Sequence, residues 1–241
     1  LNLPQATGGA AKKPHIGPVR QLLWLRTGPY AGKRLISGDD NGQLVATNPD
    51  TFVAQNWTPS SVPAATAGPV RSLAADAKGS LVAAAWQHAG VVVFSPDKGA
   101  VQGGPLLVGK GASAIDFDAS GRLWVGNLAG ELRRYAPSAA GAPSWAIDWS
   151  LAPSATLPQP GPMRALKVGP GGDLLVAGRL ATGKRAVKGS WQGLGWPLPA
   201  APRVSAAVGA RWALGDADGR VSVRSWAAAA PLWSASLHPG K

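Results

Sequence analysis

Apolar residues along this chain come in short runs of four to six, separated by polar, glycine-bearing loops, without a sustained helical period. The clearest stretch is Gly68–Gly99, which holds the runs Val70–Ala75, Leu81–Trp86 and Val91–Phe94. Each run is too short for a helix and ends in turn residues: Asp76-Ala77-Lys78-Gly79, then Gln87-His88-Ala89-Gly90, then Pro96-Asp97-Lys98-Gly99. Val-rich runs of strand length joined by four-residue loops predict a meander of antiparallel strands. A fourth run, Pro105–Val108, predicts an outer strand.

The unit recurs. Gly17-Pro18-Val19-Arg20 returns as Gly68-Pro69-Val70-Arg71 after 51 residues, and Gly111-Ala112-Ser113-Ala114 follows 43 later. Gly161-Pro162-Met163-Arg164 comes after 50 more, and Ala201-Pro202-Arg203-Val204 after 40. Several strands within each such period point to a β-propeller rather than a sandwich. The expectation is an all-β chain: one propeller of five blades, each of four antiparallel strands, with the last blade meeting the first. Six or seven blades, or part of a larger propeller, is the alternative. The blades fall at about 17–67, 68–110, 111–160, 161–200 and 201–241, behind an arm of residues 1–16 in which Leu1–Leu3 could add an edge strand.

Loops mark the individual blades. Asp39-Asp40-Asn41-Gly42, His88-Ala89-Gly90, Leu128-Ala129-Gly130 and Asp216-Ala217-Asp218-Gly219 read as tight hairpin turns, where Gly and Asn supply positive φ. Repeat four has a plainer loop, Ala181-Thr182-Gly183-Lys184, and Gly189–Pro202 replaces its outer strand; Ser150–Pro160 is a Pro-rich connector.

Gly68–Gly99 resembles a WD40 repeat, from its Gly-Pro-Val start and Asp-Ala-Lys-Gly turn to its Phe94-Ser95-Pro96-Asp97-Lys98-Gly99 end. Phe94 stands where that family has Trp, and Trp191 and Trp226 fall near the corresponding strand end of repeats four and five. Asp118–Pro137 is similar to the propeller repeats of bacterial two-component regulators. The Trp-Asp dipeptide itself is absent, and only His15 supplies the family's His before a first strand. The resemblance covers nearly all of Gly17–Leu237 and implies a propeller that holds partners at one channel mouth.

Composition narrows the chemistry. The chain has no Cys, which excludes disulfides, thiolate metal sites and a Cys nucleophile. Its His15, His88 and His238 have no partner at metal-ligand spacing. The pairs Asp39/Asp40 and Asp216/Asp218 sit in turns, where Asp caps its own backbone; Asp116/Asp118 is the third such pair. Val168-Gly169-Pro170-Gly171-Gly172 leads into a strand rather than a helix, so it lacks the N-terminus of a phosphate loop. No catalytic set and no cofactor or metal site emerges, and an enzyme is disfavoured. No apolar run approaches the roughly 20 residues of a membrane span. The chain begins at Leu1, consistent with a removed leader or a fragment.

Eleven Trp residues are too many for a surface. Trp57, Trp149 and Trp233, late in their repeats, are expected to pack between blades rather than to stack on sugars. The net charge is +12, from 24 basic and 12 acidic residues. Arg20, Arg71 and Arg164 recur at the start of innermost strands, with Arg203 one residue displaced. Rotation about the propeller axis would gather them in a ring at the channel mouth, the candidate binding site. A protein partner or multiprotein assembly is the first expectation for that site. An acidic glycan or other polyanion is the rival, and nucleic acid is disfavoured.

Overall fold

A computed structural model describes residues 14–62, 64–107, 110–138, 144–151, 162–178, 182–185, 191–193, 202–227 and 231–236. Among the described residues the strands assemble into five four-stranded antiparallel sheets, each in simple meander order. Blade 1 comprises β1 (Val19–Trp24), β2 (Leu35–Asp39), β3 (Leu44–Thr47) and β4 (Ala54–Asn56). A one-turn helix, α1 (Ala64–Ala67), leads to blade 2: β5 (Val70–Ala75), β6 (Val82–Trp86), β7 (Gly90–Phe94) and β8 (Val101–Leu106). Blade 3 is β9 (Ala112–Phe117), β10 (Leu123–Asn127), β11 (Leu132–Pro137) and β12 (Trp145–Leu151). Blade 4 is β13 (Ala165–Val168), β14 (Leu174–Ala177), β15 (Thr182–Arg185) and β16 (Trp191–Gly193). Blade 5 is β17 (Pro202–Val208), β18 (Arg211–Asp216), β19 (Arg220–Ser225) and β20 (Pro231–Ser236).

Three details differ from the sequence reading. Thr182–Arg185, read as part of a loop, is a strand, because it pairs along β14 despite its polar side chains. Trp191 lies on a short outer strand paired with β15, within the stretch expected to lack one. The outer strand of blade 2 begins at Val101, ahead of the apolar run, since backbone pairing with β7 carries it. Leu1–Leu3 lie outside the described residues, as does most of the Pro-rich connector.

Apolar clusters hold the blades side by side. The first joins Leu25, Ile36, Leu44 and Trp57 of blade 1 to Val70, Trp86 and Phe94 of blade 2. The second unites blades 2 and 3 through Val91, Val93, Ile115 and Val125. Trp124 and Leu132 meet Met163 and Leu166 between blades 3 and 4. Leu175 and Ala177 meet Trp212, Leu214 and Trp226 between blades 4 and 5. The first strands pack in sequence, β1 on β5, β5 on β9, β9 on β13 and β13 on β17. Among the described residues no comparable packing joins β17 to β1, so the expected contact of last blade with first is not met. Each blade buries an apolar row because alternate residues of a strand share a face, and the described blades form an arc.

The interblade role expected for Trp57 is met. Its ring is 4 % exposed, stacks on Phe94 of blade 2 with centroids 6.3 Å apart, and lies over Gly99. Trp233 is half exposed, and among the described residues no following blade covers it. The side chain of Trp149 lies outside the described residues.

Candidate binding face

The site begins with a backbone irregularity. In β1 the pairing with β2 jumps from Val19↔Asp39 to Gln21↔Gly38, leaving Arg20 as the extra residue. In β5 it jumps from Val70↔Trp86 to Ser72↔Ala85 around Arg71, and in β17 from Pro202↔Asp216 to Val204↔Gly215 around Arg203. Arg164 stands at the same point, one residue before the Ala165↔Ala177 pair, with its N–H donating to the Ala177 carbonyl at 2.8 Å. Arg203 is therefore register-equivalent to the others, not displaced. The Pro residue that precedes it had obscured this in the sequence. Blade 3 has Ser113 in the bulge, its hydroxyl 3.3 Å from the Gly126 carbonyl. A bulge residue sits outside the regular pairing and is re-aimed by the local twist.

These positions lie beside the hairpin turns between second and third strands. Arg20 Nε donates to Asp40 Oδ2 at 2.8 Å, with the guanidinium largely exposed. Arg71 Nε donates to Gln87 Oε1 at 2.9 Å, and its Nη2 reaches the same oxygen. Burial lowers the pKa of Arg71, and the positive charges of Arg164 and Arg20 lower it further, while Asp40 pulls the other way. Arg71 thus lies within electrostatic reach of inner-strand arginines from two other blades. At about 10 Å in water, each such pair repels by only about 0.4 kcal/mol, so packing can hold them together without a counter-ion.

The carboxylates divide by role. Asp39 accepts the Asn41 and Gln43 amides, Asp118 those of Ser120 and Arg122, and Asp216 those of Asp218 and Arg220. All three are turn caps, as the positions of Asp39 and Asp216 implied. Asp39 does more. Its Oδ2 lies 3.2 Å from His15 Nδ1, and His15 Nε2 lies 2.6 Å from the Ser37 hydroxyl. Gly17 donates to the same carboxylate and Ile16 to Gln43, so the residues just before β1 are tied into blade 1. His88 sits at a turn, with its Nε2 3.3 Å from Gln87 Nε2, and His238 lies outside the described residues.

One contact had no signal in the sequence. Asp116, on β9, accepts the Val168 amide at 2.8 Å and lies 3.4 Å from Lys167 Nζ, both on β13 of the next blade. Burial raises its pKa, against the opposing pull of Lys167. A lone Asp in an apolar strand does not announce a partner 51 residues away; the interblade contact supplies it. Among the described residues no three His, Asp or Glu side chains gather to hold a metal ion. Among the described residues no helix is long and apolar enough to cross a membrane.

The class defined by this geometry is the WD40-type β-propeller architecture. Three solved structures share it: U3-55K, with a TM-score of 0.71 and 12 % identity; the WD40 repeats of RRP9, with 0.72 and 12 %; and the β-propeller domain of Myceliophteria thermophila Cps50 (Swd1), with 0.65 and 11 %. The matches cover 92, 92 and 89 % of this chain, but only 65, 64 and 67 % of the neighbours. The chain thus spans about two-thirds of the propellers it resembles. Identity this low shows the fold alone. No protein-family model matches the chain, and no curated protein matches it in sequence.

Proposed function

We propose that this protein is a non-catalytic interaction scaffold, and that the end of the inner strands bearing Arg20, Arg71, Arg164 and Arg203 receives an acidic segment of a protein partner. The observation that carries the reading is the recurrence of Arg at one register position of the inner strand in four of the five described blades, three of them at a bulge. Arg20 is largely exposed, and Arg71 feels the charges of both Arg20 and Arg164. Their mutual repulsion eases when a carboxylate lies among them. The net charge of +12 favours the same encounter at long range.

The test replaces Arg20, Arg71 and Arg164 together with Gln and uses a fluorescent poly-Glu peptide and heparin as probes. The melting temperature should stay nearly constant, since Arg20 is largely exposed and Gln can still bond at position 71. Affinity for the peptide at low salt should fall at least about tenfold, and its salt dependence should flatten. Unchanged affinity with an unchanged salt slope overturns the proposal. Loss of heparin binding alone assigns the face to acidic glycans instead.

A further inference from the structure

Arg20 and Arg71 are held by register-equivalent residues of different chemistry. Asp40 follows Asp39, the partner of Val19, and Gln87 follows Trp86, the partner of Val70. Arg20 therefore meets a carboxylate and Arg71 an amide. A carboxylate offsets the charge of its arginine, whereas an amide oxygen holds the arginine and leaves its charge in place.

The amide has a second neighbour. Gln87 Nε2 lies 3.3 Å from Nε2 of His88, the next residue of the turn. Arginine only donates, so the Gln87 oxygen must face Arg71 and its NH2 group must face the imidazole. The neutral ring receives that NH2 with the lone pair on Nε2, its own proton being on Nδ1. A protonated ring carries N–H at both positions and offers no lone pair. The contact then sets donor against donor, and Arg71 and His88 compete for one amide oxygen.

The turn keeps the ring in place. His88 N–H donates to the Ala67 carbonyl at 2.9 Å and Gln87 N–H to the Pro69 carbonyl at 3.1 Å, which ties the turn to the segment that opens β5. The ring lies on Gly68, whose φ is +67°, and an added Cβ there would stand 2.6 Å from His88 Cδ2. Blade 1 has the same seat, with an added Cβ at Gly17 standing 3.0 Å from Asn41 Cγ. Of these two seated residues only His88 can change charge. Ala67 and Gly68, packed against it, bring no titratable group. The charged group beyond Gln87 is Arg71, on which Asp40 and Arg20 of blade 1 and Arg164 of blade 4 act in turn.

We propose that His88 gates the basic face through Gln87. The neutral ring leaves the Gln87 oxygen on Arg71; the protonated ring draws that oxygen away and frees the Arg71 guanidinium for an acidic partner segment. The gate rests on the reading of this face as the seat of such a segment. Histidine is the side chain whose charge changes between about pH 8 and 5, so binding should tighten as pH falls through that range.

One test needs no ligand. In NMR spectra of the 241-residue chain, the Arg71 Nε–H and Gln87 side-chain amide signals should shift with the midpoint of the His88 ring as pH falls from about 8 to about 5.5. In His88→Asn, which puts the blade 1 residue in the seat, neither signal should move. The second test measures affinity for a fluorescent poly-Asp peptide, whose carboxylates stay ionised down to about pH 5.5. At fixed low salt the native affinity should rise at least about threefold across the range, and His88→Asn should flatten the rise. Gln87→Met cannot hold Arg71, so at about pH 8 it should bind as tightly as the native chain does at about pH 5.5, with little further rise. A native-sized rise in Gln87→Met would mean that His88 acts through its own charge alone, and overturns the gate. So does an Arg71 Nε–H signal that ignores the His88 titration, even where the triple arginine variant loses peptide binding as expected. If both signals follow His88 while native affinity stays flat, the acidic-segment reading fails and the gate falls with it.

Discussion

The indole Nε1 of Trp86, fully buried in blade 2, donates to the carbonyl of Gly42 in the hairpin turn of blade 1, at 2.8 Å. One side chain therefore fills an interblade cluster and fixes the neighbouring turn. Replacing it with Phe keeps most of the apolar volume but leaves a buried carbonyl unpaired. The expected loss is about 1–3 kcal/mol in a denaturant melt. A neutral Trp86→Phe would mean the bond contributes nothing beyond packing.

Trp57 and Trp233, alike in their repeats, should behave differently. Trp57→Ala empties a buried site against Phe94 and Gly99 and should cost about 3–5 kcal/mol. Trp233→Ala should change stability by less than about 1 kcal/mol, because half of its surface is already in water. Equal losses in the two melts would contradict the open end of the arc.

His15 bridges Ser37 and Asp39 from outside the sheet. His15→Ala should cost about 1–3 kcal/mol, since the Ser37 hydroxyl and Asp39 carboxylate are both buried. Hydrogen exchange should quicken in β1 and β2 while blades 3 and 4 keep their protection. Uniform quickening would show that the contact does not act locally.

Asp116 gives a pH signature of defined sign. Burial raises its pKa, so the folded state binds this proton more readily than the unfolded chain. Stability from this group therefore rises as pH falls from its raised folded value towards the ordinary carboxylate range. The melting temperature of the native chain minus that of Asp116→Asn should increase as pH drops from 7 towards 4. A flat or falling difference would mean that Lys167 compensates the buried charge fully.

Much of the architecture was legible because each strand is a local event. A run such as Val91–Phe94 between glycine turns can do little but form a strand, and each of the five repeat openings leads into one of the described sheets. Thr182–Arg185 and Val101–Leu106 were obscured because neighbouring strands, rather than their own side chains, hold them in place. Trp233 was misjudged for a related reason. Its sequence position matches that of a packing residue, but the surface it would pack on is absent among the described residues. Of the candidate site, the arginines were visible and their common register was not, since a bulge is a property of two strands together.

That bulge has a consequence for how the protein can change over time. The bulge residues Arg71 and Ser113 belong to none of the four apolar clusters, so exchanging them leaves the apolar interblade packing intact. Blade 3 already carries Ser113 in place of the arginine, with its neighbours Ala112 and Ala114 still buried. The inner strands thus offer, at this register position, one letter that differs between blades on an otherwise constrained frame. New recognition surfaces can be spelled there without renegotiating the core.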